Sequence, residues 1–236
     1  MKAVVLAAGR GARLKPWTDS RPKVMIWVGG KPPLERHLEG LRAAGIKEVF
    51  VNLHHLPEAI RSYFGDGEPW GLRIRYSYEP ELLGTAGAVK ILERELGQEP
   101  FLVIYGDNTI DFDFSDFMHF AEVSNALGTM AVFKKDDTSG SGVVEFDAKG
   151  RILRFLEKPE GGAAAGRWVN AGIYCFGPRL FEFLEPGFSD FGRDVFPLLL
   201  KRGETLLAYV LKSPLLAVDT LDLLRAATGR DARGSS

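Results

Sequence analysis

Short apolar runs rich in β-branched residues alternate with stretches of helical period along the first half of the chain. Strand-length runs occur at residues 3–6, 49–53, 72–76 and 101–105, and segments of helical period lie between them at 34–43, 57–64 and 85–96. This alternation predicts βαβ units. The continuous apolar run before Gly106 is typical of a parallel strand that is buried on both faces. The first half is therefore predicted to form a parallel sheet flanked by helices.

The pattern changes after about residue 128. Strand-like segments at 129–133, 142–146, 152–156 and 168–176 are joined by turns that bear Gly and Asp, and further elements are predicted as helices at 178–184, 190–200 and 219–227 and as a strand at 206–211. Residues 111–114 alternate Asp and Phe, which we interpret as a strand or loop edge with one packed face. The expected fold class is α/β: a Rossmann-like mixed, mainly parallel sheet flanked by helices, with antiparallel additions in the second half.

Composition narrows the class of protein. The 236 residues are 45% hydrophobic, enough for one domain spanning 1–236. Lys and Arg total 30 against 31 Asp and Glu, so the chain lacks the basic excess of many nucleic-acid binders. No apolar stretch is long enough to span a bilayer, and no signal-peptide pattern is present. We expect a cytoplasmic protein that binds neither nucleic acid nor membrane, with homo-oligomer formation left open. The one cysteine, Cys175, is predicted to be buried in a strand rather than nucleophilic.

The stretch LAAGRGARLKPWTDSRPK follows the first predicted strand and concentrates cations on a loop. Gly9 and Gly11 allow successive backbone N–H groups to surround an anion, while Arg13 and Lys23 add full charges. Neither common phosphate loop matches. Leu14 replaces the third glycine of a dinucleotide-binding loop, and the G-K-[ST] of a P-loop is absent. A glycine-rich turn with solvated cations is the plainer alternative.

Several motifs together resemble a known family. LAAGRGARL at 6–14, followed by Pro16, Thr18 and PKVM at 22–25, closely resembles the signature of the sugar-1-phosphate nucleotidyltransferases, also called nucleotide-sugar pyrophosphorylases. Further matches follow in the family's order: GGKP at 29–32, LGTAGA at 83–88, GDN at 106–108, EKP at 157–159, NAGIY at 170–174 and VDT at 218–220. Each motif is weak alone, whereas the ordered set is specific. The family joins a nucleoside triphosphate to a sugar 1-phosphate, giving a nucleotide sugar and pyrophosphate.

The resemblance implies catalytic roles for two of the cations. Arg13 would hold the phosphates of the triphosphate and the emerging pyrophosphate, while Lys23 would stabilise the α-phosphate in the transition state. Cations suit this reaction because it brings two anions together, and an ionised phosphate nucleophile needs no general base. In the mainly nucleotide-binding part, 1–127, the implied nucleotide-binding residues are Leu6, Ala8, Gly9, Gly11, Arg13, Glu79, Gly84 and Thr85.

The second part, 128–236, is implied to be mainly a sugar-binding lobe. Its implied sugar-phosphate ligands are Gly142, Glu157, Lys158 and Asn170. Magnesium is expected at Asp107 and Asp219, since hard oxygen ligands suit it. Plainer interpretations stay open: a turn residue at Asp107, a helix N-cap at Asp219, a turn at Gly142 and a solvated pair at residues 157–158. Asp219 departs from the family, because the chain has AVDTL where Asp-x-Gly-Thr-Pro is commoner.

Glu79 bears on the choice of base. Many family members that use uracil or thymine carry Gln at the aligned position. A carboxylate only accepts hydrogen bonds, and guanine offers N1–H and N2–H donors, so Glu79 favours GTP. The chain also looks most like mannose-1-phosphate or related heptose guanylyltransferases. Three alternatives stay open: UTP or dTTP with glucose 1-phosphate, cytidylyl transfer to a non-sugar phosphate, and a non-catalytic module that binds a nucleotide sugar.

Overall fold

The strands and helices of the chain are those of a computed structural model that describes residues 1–110, 112–138, 140–159, 167–212 and the backbone of 216–217. The strands are β1 (Lys2–Leu6), β2 (Glu48–Leu53), β3 (Arg73–Tyr78), β4 (Phe101–Tyr105), β5 (Asn108–Thr109), β6 (Gly128–Lys135), β7 (Gly142–Phe146), β8 (Ile152–Glu157), β9 (Arg167–Phe176), β10 (Leu206–Val210) and β11 (Leu216–Ala217). The α-helices are α1 (Pro33–Ala43), α2 (Pro57–Phe64), α3 (Gly84–Lys90), α4 (Glu93–Leu96), α5 (Phe114–Val123) and α6 (Phe196–Lys201).

A mixed sheet of nine described strands organises these elements. Its order is β10-β6-β9-β4-β1-β2-β3, and β7 joins β9 and carries β8. Strands β1 to β4 pair in parallel, as do β6 and β10, whereas β9 pairs antiparallel with β4, β6 and β7, and β8 pairs antiparallel with β7. Among these nine strands only β8 and β9 run against the rest. The predicted fold class is confirmed.

Strand β1 occupies the position where the order of the sheet reverses. The chain passes from β1 to β2 and β3 on one side, then returns to place β4 on the other side. In open α/β sheets, ligands bind beyond the carboxyl ends of strands at such a switch point. The loops after β1 and β4 are therefore brought together at the expected ligand crevice.

The sheet is buried on both faces because its central strands are apolar throughout. In β1, Val5 packs into the core that α1, α2 and α5 cover, while Val4 packs into the opposite core with α3, α4 and α6. Both side chains have no exposed surface. This two-sided burial explains why β1 and β4 lack the polar alternation of a surface strand.

Helix α5 was not predicted. The interpretation of 111–114 as a strand or loop edge with one packed face is confirmed at residues 112 and 113, which lie in the loop before the helix, and at Phe112 and Phe114, which pack into the core. Asp113 is the N-cap of α5, and its carboxylate accepts a hydrogen bond from the backbone N–H of Asp116 at 3.0 Å. Phe114 begins the helix and is buried beneath the sheet. The alternation of Asp and Phe therefore ends in a helix N-cap, Asp113, and the first buried residue of the helix, Phe114.

Other predicted helices were placed correctly but are subdivided. The predicted helix 85–96 is broken between α3 and α4, residues 178–184 contain the 3₁₀ helix Pro178–Phe183, and residues 190–200 begin with the π-helical turn Phe191–Val195 before α6. The predicted helix 219–227 lies outside the described residues. Among the described residues, no helix is both long and apolar enough to cross a membrane.

Candidate functional site

A cavity of about 430 Å³ lies at the ends of β1 and β4. It takes residues from both parts of the chain, and all of the predicted site residues line it except Gly11 and Asp219. Asp219 lies outside the described residues. The structure therefore brings together side chains that the sequence separates by more than 150 positions, such as Ala8 and Asn170.

Gly11 shapes the first loop rather than lining the cavity. Its φ of 62° is left-handed, and a Cβ there would lie 2.7 Å from the Thr18 methyl group and 3.1 Å from Lys23 Cβ. The Thr18 hydroxyl donates to the Gly11 carbonyl at 3.0 Å, and the Thr18 carbonyl accepts from His55 Nε2 at 2.7 Å. A larger residue at position 11 would push this packed loop apart. Gly11 thus acts indirectly, by allowing the loop to fold back beneath Lys23.

Lys23 and Asp107 meet inside the cavity. Lys23 Nζ donates to Asp107 Oδ2 at 2.5 Å, and the Lys23 residue is only 9% exposed. Gly106 positions this carboxylate, because its N–H donates to the Leu6 carbonyl at 2.9 Å and a Cβ there would lie 2.9 Å from the same oxygen. Only a glycine allows the loop after β4 to approach the end of β1 so closely. The plainer interpretation of Lys23 as a solvated surface cation is wrong.

Asp107 has the chemistry of a magnesium ligand. Its carboxylate contacts Lys23 and lines the same cavity as Arg13, and Mg²⁺ in phosphate sites takes one or two carboxylates with phosphate oxygens and water. Among the described residues, no group of three or more His, Cys, Asp or Glu side chains is placed to hold a metal. The described donors therefore fit a cation that is shared with a phosphate substrate rather than one held by the protein alone.

A hydrogen-bond chain braces the predicted base-binding end. The backbone N–H of Ala7 donates to Asn52 Oδ1 at 2.6 Å, and Asn52 Nδ2 donates to Glu79 Oε1 at 2.8 Å. Glu79 Oε2 then accepts from the backbone N–H of Leu83 at 3.0 Å. Asn52 and Glu79 are 3% and 1% exposed. The chain links the segment after β1, the end of β2 and the segment after β3, so Glu79 helps to fix the shape of this end of the cavity.

The start of α3 is covered by residues 187–190. A Cβ at Gly84 would lie 2.3 Å from the Ser189 carbonyl oxygen, and one at Gly87 would lie 2.2 Å from the Gly187 carbonyl oxygen. The Ser189 carbonyl accepts from the N–H groups of Ala86 and Gly87 at 2.9 and 3.2 Å. The two glycines of LGTAGA are therefore needed for this close backbone approach. It places Phe188 and Asp190 on the wall of the cavity.

Glu157 and Lys158 end β8 at the opposite side of the cavity. Glu157 Oε2 would lie 3.1 Å from a Cβ at Gly142 and 2.4 Å from one at Gly192, so both glycines make room for the carboxylate. Lys158 Nζ is 3.3 Å from Glu157 Oε1 and its side chain is half exposed. The pair lines the cavity, as the resemblance implied, although its ion pair is weakened by solvent.

Thr85 joins the start of α3 to Asp190. The Thr85 hydroxyl donates to Asp190 Oδ2 at 3.2 Å and accepts from the Phe191 N–H at 2.8 Å. Nearby, Asn170 Nδ2 donates to the Tyr174 hydroxyl at 2.6 Å, and the rings of Tyr174 and Tyr105 pack edge to face with centroids 5.7 Å apart. Burial raises the pKa of both tyrosines well above the usual value, so both stay protonated near neutrality.

Sequence reasoning missed part of the cavity wall. The unpredicted lining residues with polar side chains are Asn52, Tyr105, Asn108, Lys135, Ser141 and Asp190. Asn108 follows the predicted metal ligand, and its Nδ2 donates to the Ala171 carbonyl at 2.6 Å. Lys135 Nζ donates to Ser141 Oγ at 3.0 Å. Asp190 could have been found only as a residue that precedes a helical stretch, which indicates a cap rather than a site.

Two further cations of the loop after β1 and the single cysteine lie outside the cavity lining. Arg10 contacts His54 Nε2 at 3.2–3.3 Å, and Lys15 pairs with Asp19 at 3.3 Å, both at exposed positions outside the cavity lining. Cys175 is buried in β9, as predicted, and burial raises the pKa of its thiol to about 12. The thiolate is therefore scarce near neutrality, which agrees with a structural role.

The fold and the cavity define an α/β protein with a glycine-rich, cation-bearing loop at the switch point of its sheet. Residues 2–214 match the nucleotidyl transferase family. The chain therefore belongs to this family, which confirms the resemblance seen in the sequence.

Two curated relatives show how far the similarity extends. The chain is 37% identical over 217 residues to a UTP–glucose-1-phosphate uridylyltransferase of Synechocystis sp., covering 86% of this chain. It is 34% identical over 205 residues to a mannose-1-phosphate guanylyltransferase catalytic subunit beta of Dictyostelium discoideum, covering 84% of this chain. The chain spans 56% of the length of each of these two relatives.

Solved structures support the fold. A crystal structure of a Bacillus anthracis protein has a TM-score of 0.88 at 23% identity, covering 100% of this chain and 98% of that one. HddC from Yersinia pseudotuberculosis has a TM-score of 0.82 at 24% identity, covering 97% and 98%. At these identities the likeness concerns the fold alone.

Proposed function

We propose that the chain is an enzyme that transfers a nucleotidyl group from a nucleoside triphosphate to a sugar 1-phosphate, giving a nucleotide sugar and pyrophosphate. The observation that carries the proposal is the cavity itself. It is lined by the cations Arg13 and Lys23 and the carboxylate of Asp107, and also by side chains that suit sugar hydroxyls, Glu157 and Asn170. Family membership and the names of the curated relatives support the same reaction.

In the proposed reaction an oxygen of the sugar 1-phosphate attacks the α-phosphorus of the triphosphate. The bond between the α-phosphorus and the oxygen that bridges to the β-phosphate breaks, and pyrophosphate leaves with the electron pair. The nucleophile is already ionised near neutrality, because the second pKa of a phosphate monoester is about 6. The protein's task is therefore to position two anions and stabilise the charge on the phosphoryl oxygens.

The chain's own cations supply that stabilisation. We assign Lys23 to the α-phosphate and Arg13 to the phosphates that leave as pyrophosphate. Asp107 and Asp219 would hold magnesium, which when bound offsets negative charge on the phosphates. Leu6, Ala8, Gly9, Gly84 and Thr85 would surround the nucleotide from the mainly nucleotide-binding part, with Gly11 shaping the loop.

The acceptor is assigned to the mainly sugar-binding part of the chain. Glu157 and Asn170 are placed to hydrogen-bond hydroxyl groups, and Lys158 offers a cation to the sugar phosphate. Gly142 leaves the space that Glu157 occupies and adds backbone groups to the wall. The substrates are cytoplasmic metabolites, so we propose a cytoplasmic enzyme.

For the substrate pair we propose GTP with mannose 1-phosphate or a related sugar. Glu79 supports this choice, because each carboxylate oxygen has a second acceptor site beyond its bonds to Asn52 and Leu83. The Dictyostelium relative, named a mannose-1-phosphate guanylyltransferase, supports it too. UTP with glucose 1-phosphate is the second candidate, favoured by the name of the Synechocystis relative.

The test is a panel of nucleoside triphosphates against sugar 1-phosphates, with magnesium and with EDTA, read by pyrophosphate release. The expected result is release with GTP and mannose 1-phosphate or a related sugar, abolished by EDTA. Phosphocholine in the same panel tests a non-sugar acceptor. Failure of every pair, with nucleotide or nucleotide-sugar binding still detected by calorimetry, would instead identify a non-catalytic binding module.

A further inference from the structure

Asp190 lines the cavity, although no motif in the sequence marks it as a site residue. It is the N-cap of the turn Phe191–Val195, where its Oδ1 accepts from the Gly192 N–H at 3.0 Å. Its Oδ2 accepts from the Thr85 hydroxyl at 3.2 Å. A carboxylate has about four acceptor sites, so Asp190 keeps capacity for a ligand in the cavity.

Asp190 and Glu157 lie close together on the same wall. A Cβ at Gly192 would be 2.4 Å from Glu157 Oε2 and 3.4 Å from Asp190 Oδ1. The two carboxylate oxygens are therefore no more than about 6 Å apart, and glycine at 192 leaves no side chain between them. The oxygens of two neighbouring hydroxyl groups on a sugar ring are about 3 Å apart, and each can donate to an acceptor about 2.8 Å away. Two such acceptors can therefore be separated by a distance similar to that between the two carboxylate oxygens.

We propose that Asp190 accepts a hydrogen bond from a hydroxyl of the acceptor sugar, next to the hydroxyl that Glu157 binds, and thereby determines which sugar 1-phosphates are used. The inference rests on the proposed function and deepens it. The substrate class it names is a pyranose 1-phosphate with two adjacent free hydroxyl groups. Mannose 1-phosphate belongs to this class, as do many other hexose and heptose 1-phosphates.

The Thr85 hydroxyl holds Asp190 for this role. It accepts from the Phe191 N–H at 2.8 Å, and its own hydrogen goes to Asp190 Oδ2 at 3.2 Å. An amide at 190 could present its nitrogen to Thr85 and lose this hydrogen bond, so the carboxylate is part of the arrangement.

Asp190 also caps a turn, so the test must separate ligand binding from folding. In Asp190→Ser, the serine hydroxyl can still cap the Gly192 N–H, but the carboxylate is lost. In Asp190→Asn, size and one acceptor oxygen are kept without the charge. Asp194→Asn is the matched control, because the Asp194 carboxylate accepts from the Asp190 N–H at 2.7 Å in the same turn and does not line the cavity.

The experiment measures steady-state pyrophosphate release with the best sugar 1-phosphate of the wild-type panel and with its monodeoxy analogues, one ring hydroxyl removed at a time. Asp190→Ser should raise the acceptor KM about tenfold or more, with kcat and the KM for the triphosphate within about twofold of wild type. Asp190→Asn should raise the acceptor KM less. Asp194→Asn should keep the wild-type KM.

One deoxy analogue should be diagnostic. Wild type should lose affinity for the sugar that lacks the hydroxyl bound by Asp190, whereas Asp190→Ser should lose nothing further with that analogue. An unchanged acceptor KM in Asp190→Ser, additive losses with every analogue, or an equal KM change in Asp194→Asn would each overturn the inference. Absence of pyrophosphate release from wild type with every pair would instead refute the proposed function itself.

Discussion

Lys23 Nζ lies 2.5 Å from Asp107 Oδ2, which joins a cation of the loop after β1 to a carboxylate of the loop after β4. The residues are 84 positions apart, but β1 and β4 are neighbouring parallel strands whose ends meet where the sheet order reverses. In the proposed reaction, one partner acts on phosphate and the other on magnesium. Their pairing holds both side chains where the α-phosphate would bind.

Replacing Lys23 with Met should lower kcat for pyrophosphate release by about 10²- to 10³-fold, as is typical when one charge-stabilising donor is removed. Met keeps most of the apolar stem but carries no charge. Lys31→Met is the control, because Lys31 is also ion-paired, with Glu39 at 2.7 Å, but lies outside the cavity lining. A Lys23→Met enzyme that keeps more than about a tenth of the wild-type kcat would contradict the assigned role.

Measurements of stability distinguish the structural role of the Lys23–Asp107 ion pair from its role in the reaction. Lys23→Met should lower the free energy of unfolding by about 1–3 kcal/mol, because Asp107 loses this charged hydrogen bond in a partly enclosed site. Adding Asp107→Asn should recover most of that loss, since the unmatched charge is removed, while pyrophosphate release stays low. Urea denaturation of the two single variants and the double variant measures the coupling.

The Asn52 and Glu79 chain has a fixed polarity. The backbone N–H groups of Ala7 and Leu83 donate at its two ends, so residues 52 and 79 must each offer an oxygen to one of these N–H groups. Between the two side chains, one must donate and the other accept. Asn with a carboxylate satisfies this, whereas Asn with Gln leaves two donors facing each other. Glu79→Gln should therefore lower the free energy of unfolding by about 1–3 kcal/mol.

The exchanged pair should restore the chain. Asn52→Asp alone places two carboxylates face to face and should also destabilise the protein. In the double variant Asn52→Asp, Glu79→Gln, each backbone N–H again meets an oxygen, and urea denaturation should show most of the stability recovered. The same variant tests the base. If Glu79 binds guanine, the KM for GTP should stay raised, whereas recovery of the wild-type KM would show that its role is to brace the loops.

Gly87→Ala should displace residues 187–190 from the start of α3. The new Cβ would lie 2.2 Å from the Gly187 carbonyl oxygen, so backbone must move, and overpacking of this kind costs about 1–3 kcal/mol. The acceptor KM should rise as well, because Asp190 belongs to the displaced segment. Gly177→Ala is the control, since among the described residues a Cβ there meets only the Leu127 carbonyl, at 3.9 Å. If Gly87→Ala and the wild type had the same melting temperature and the same acceptor KM, this account would be contradicted.

Much of the fold and most of the cavity could be predicted because the two depend on the same feature. In a parallel sheet, functional side chains follow the strands, so the apolar runs that predict β1 and β4 also locate the loops that carry Lys23 and Asp107. The resemblance added the residues of the opposite wall. Glu157 and Asn170 line the cavity, and both belong to motifs that can be seen in the sequence.

The parts that could not be predicted depend on contacts between distant residues. Asp190 meets Thr85 across 105 positions, and no local pattern distinguishes such a carboxylate from an ordinary helix cap. The bonds from Asn52 and Leu83 to the Glu79 carboxylate also join three separate segments of the chain, and no local pattern around Glu79 indicates them. The short alternation before α5 was ambiguous for another reason, since a cap followed by a helix face imitates two strand residues.

His37 should make stability depend on pH. This residue of α1 is 1% exposed, and burial lowers the pKa of its imidazole from 6.5 to about 4. A backbone hydrogen bond to Asn108 and the negative charge of Asp107 act in the opposite direction and raise the pKa, but burial is the larger effect. Within the described residues its Nε2 has no hydrogen-bond partner. The unfolded chain binds the proton more tightly than the folded protein, so protonation of His37 favours unfolding. The contribution of neutral His37 to the free energy of unfolding is therefore complete above about pH 6.5 and is lost as the pH falls towards 4.

The loss attributable to His37 between pH 7 and pH 5 should be about 2 kcal/mol, measured by urea denaturation in EDTA so that no metal occupies Asp107. In His37→Asn an amide N–H can still reach the Asn108 carbonyl but does not titrate. This variant should be less stable at pH 7, because a buried ring is lost, yet should lose less on going to pH 5. His119→Asn, at an exposed position, should keep the wild-type pH dependence. The same loss in His37→Asn as in wild type would assign acid sensitivity to other groups.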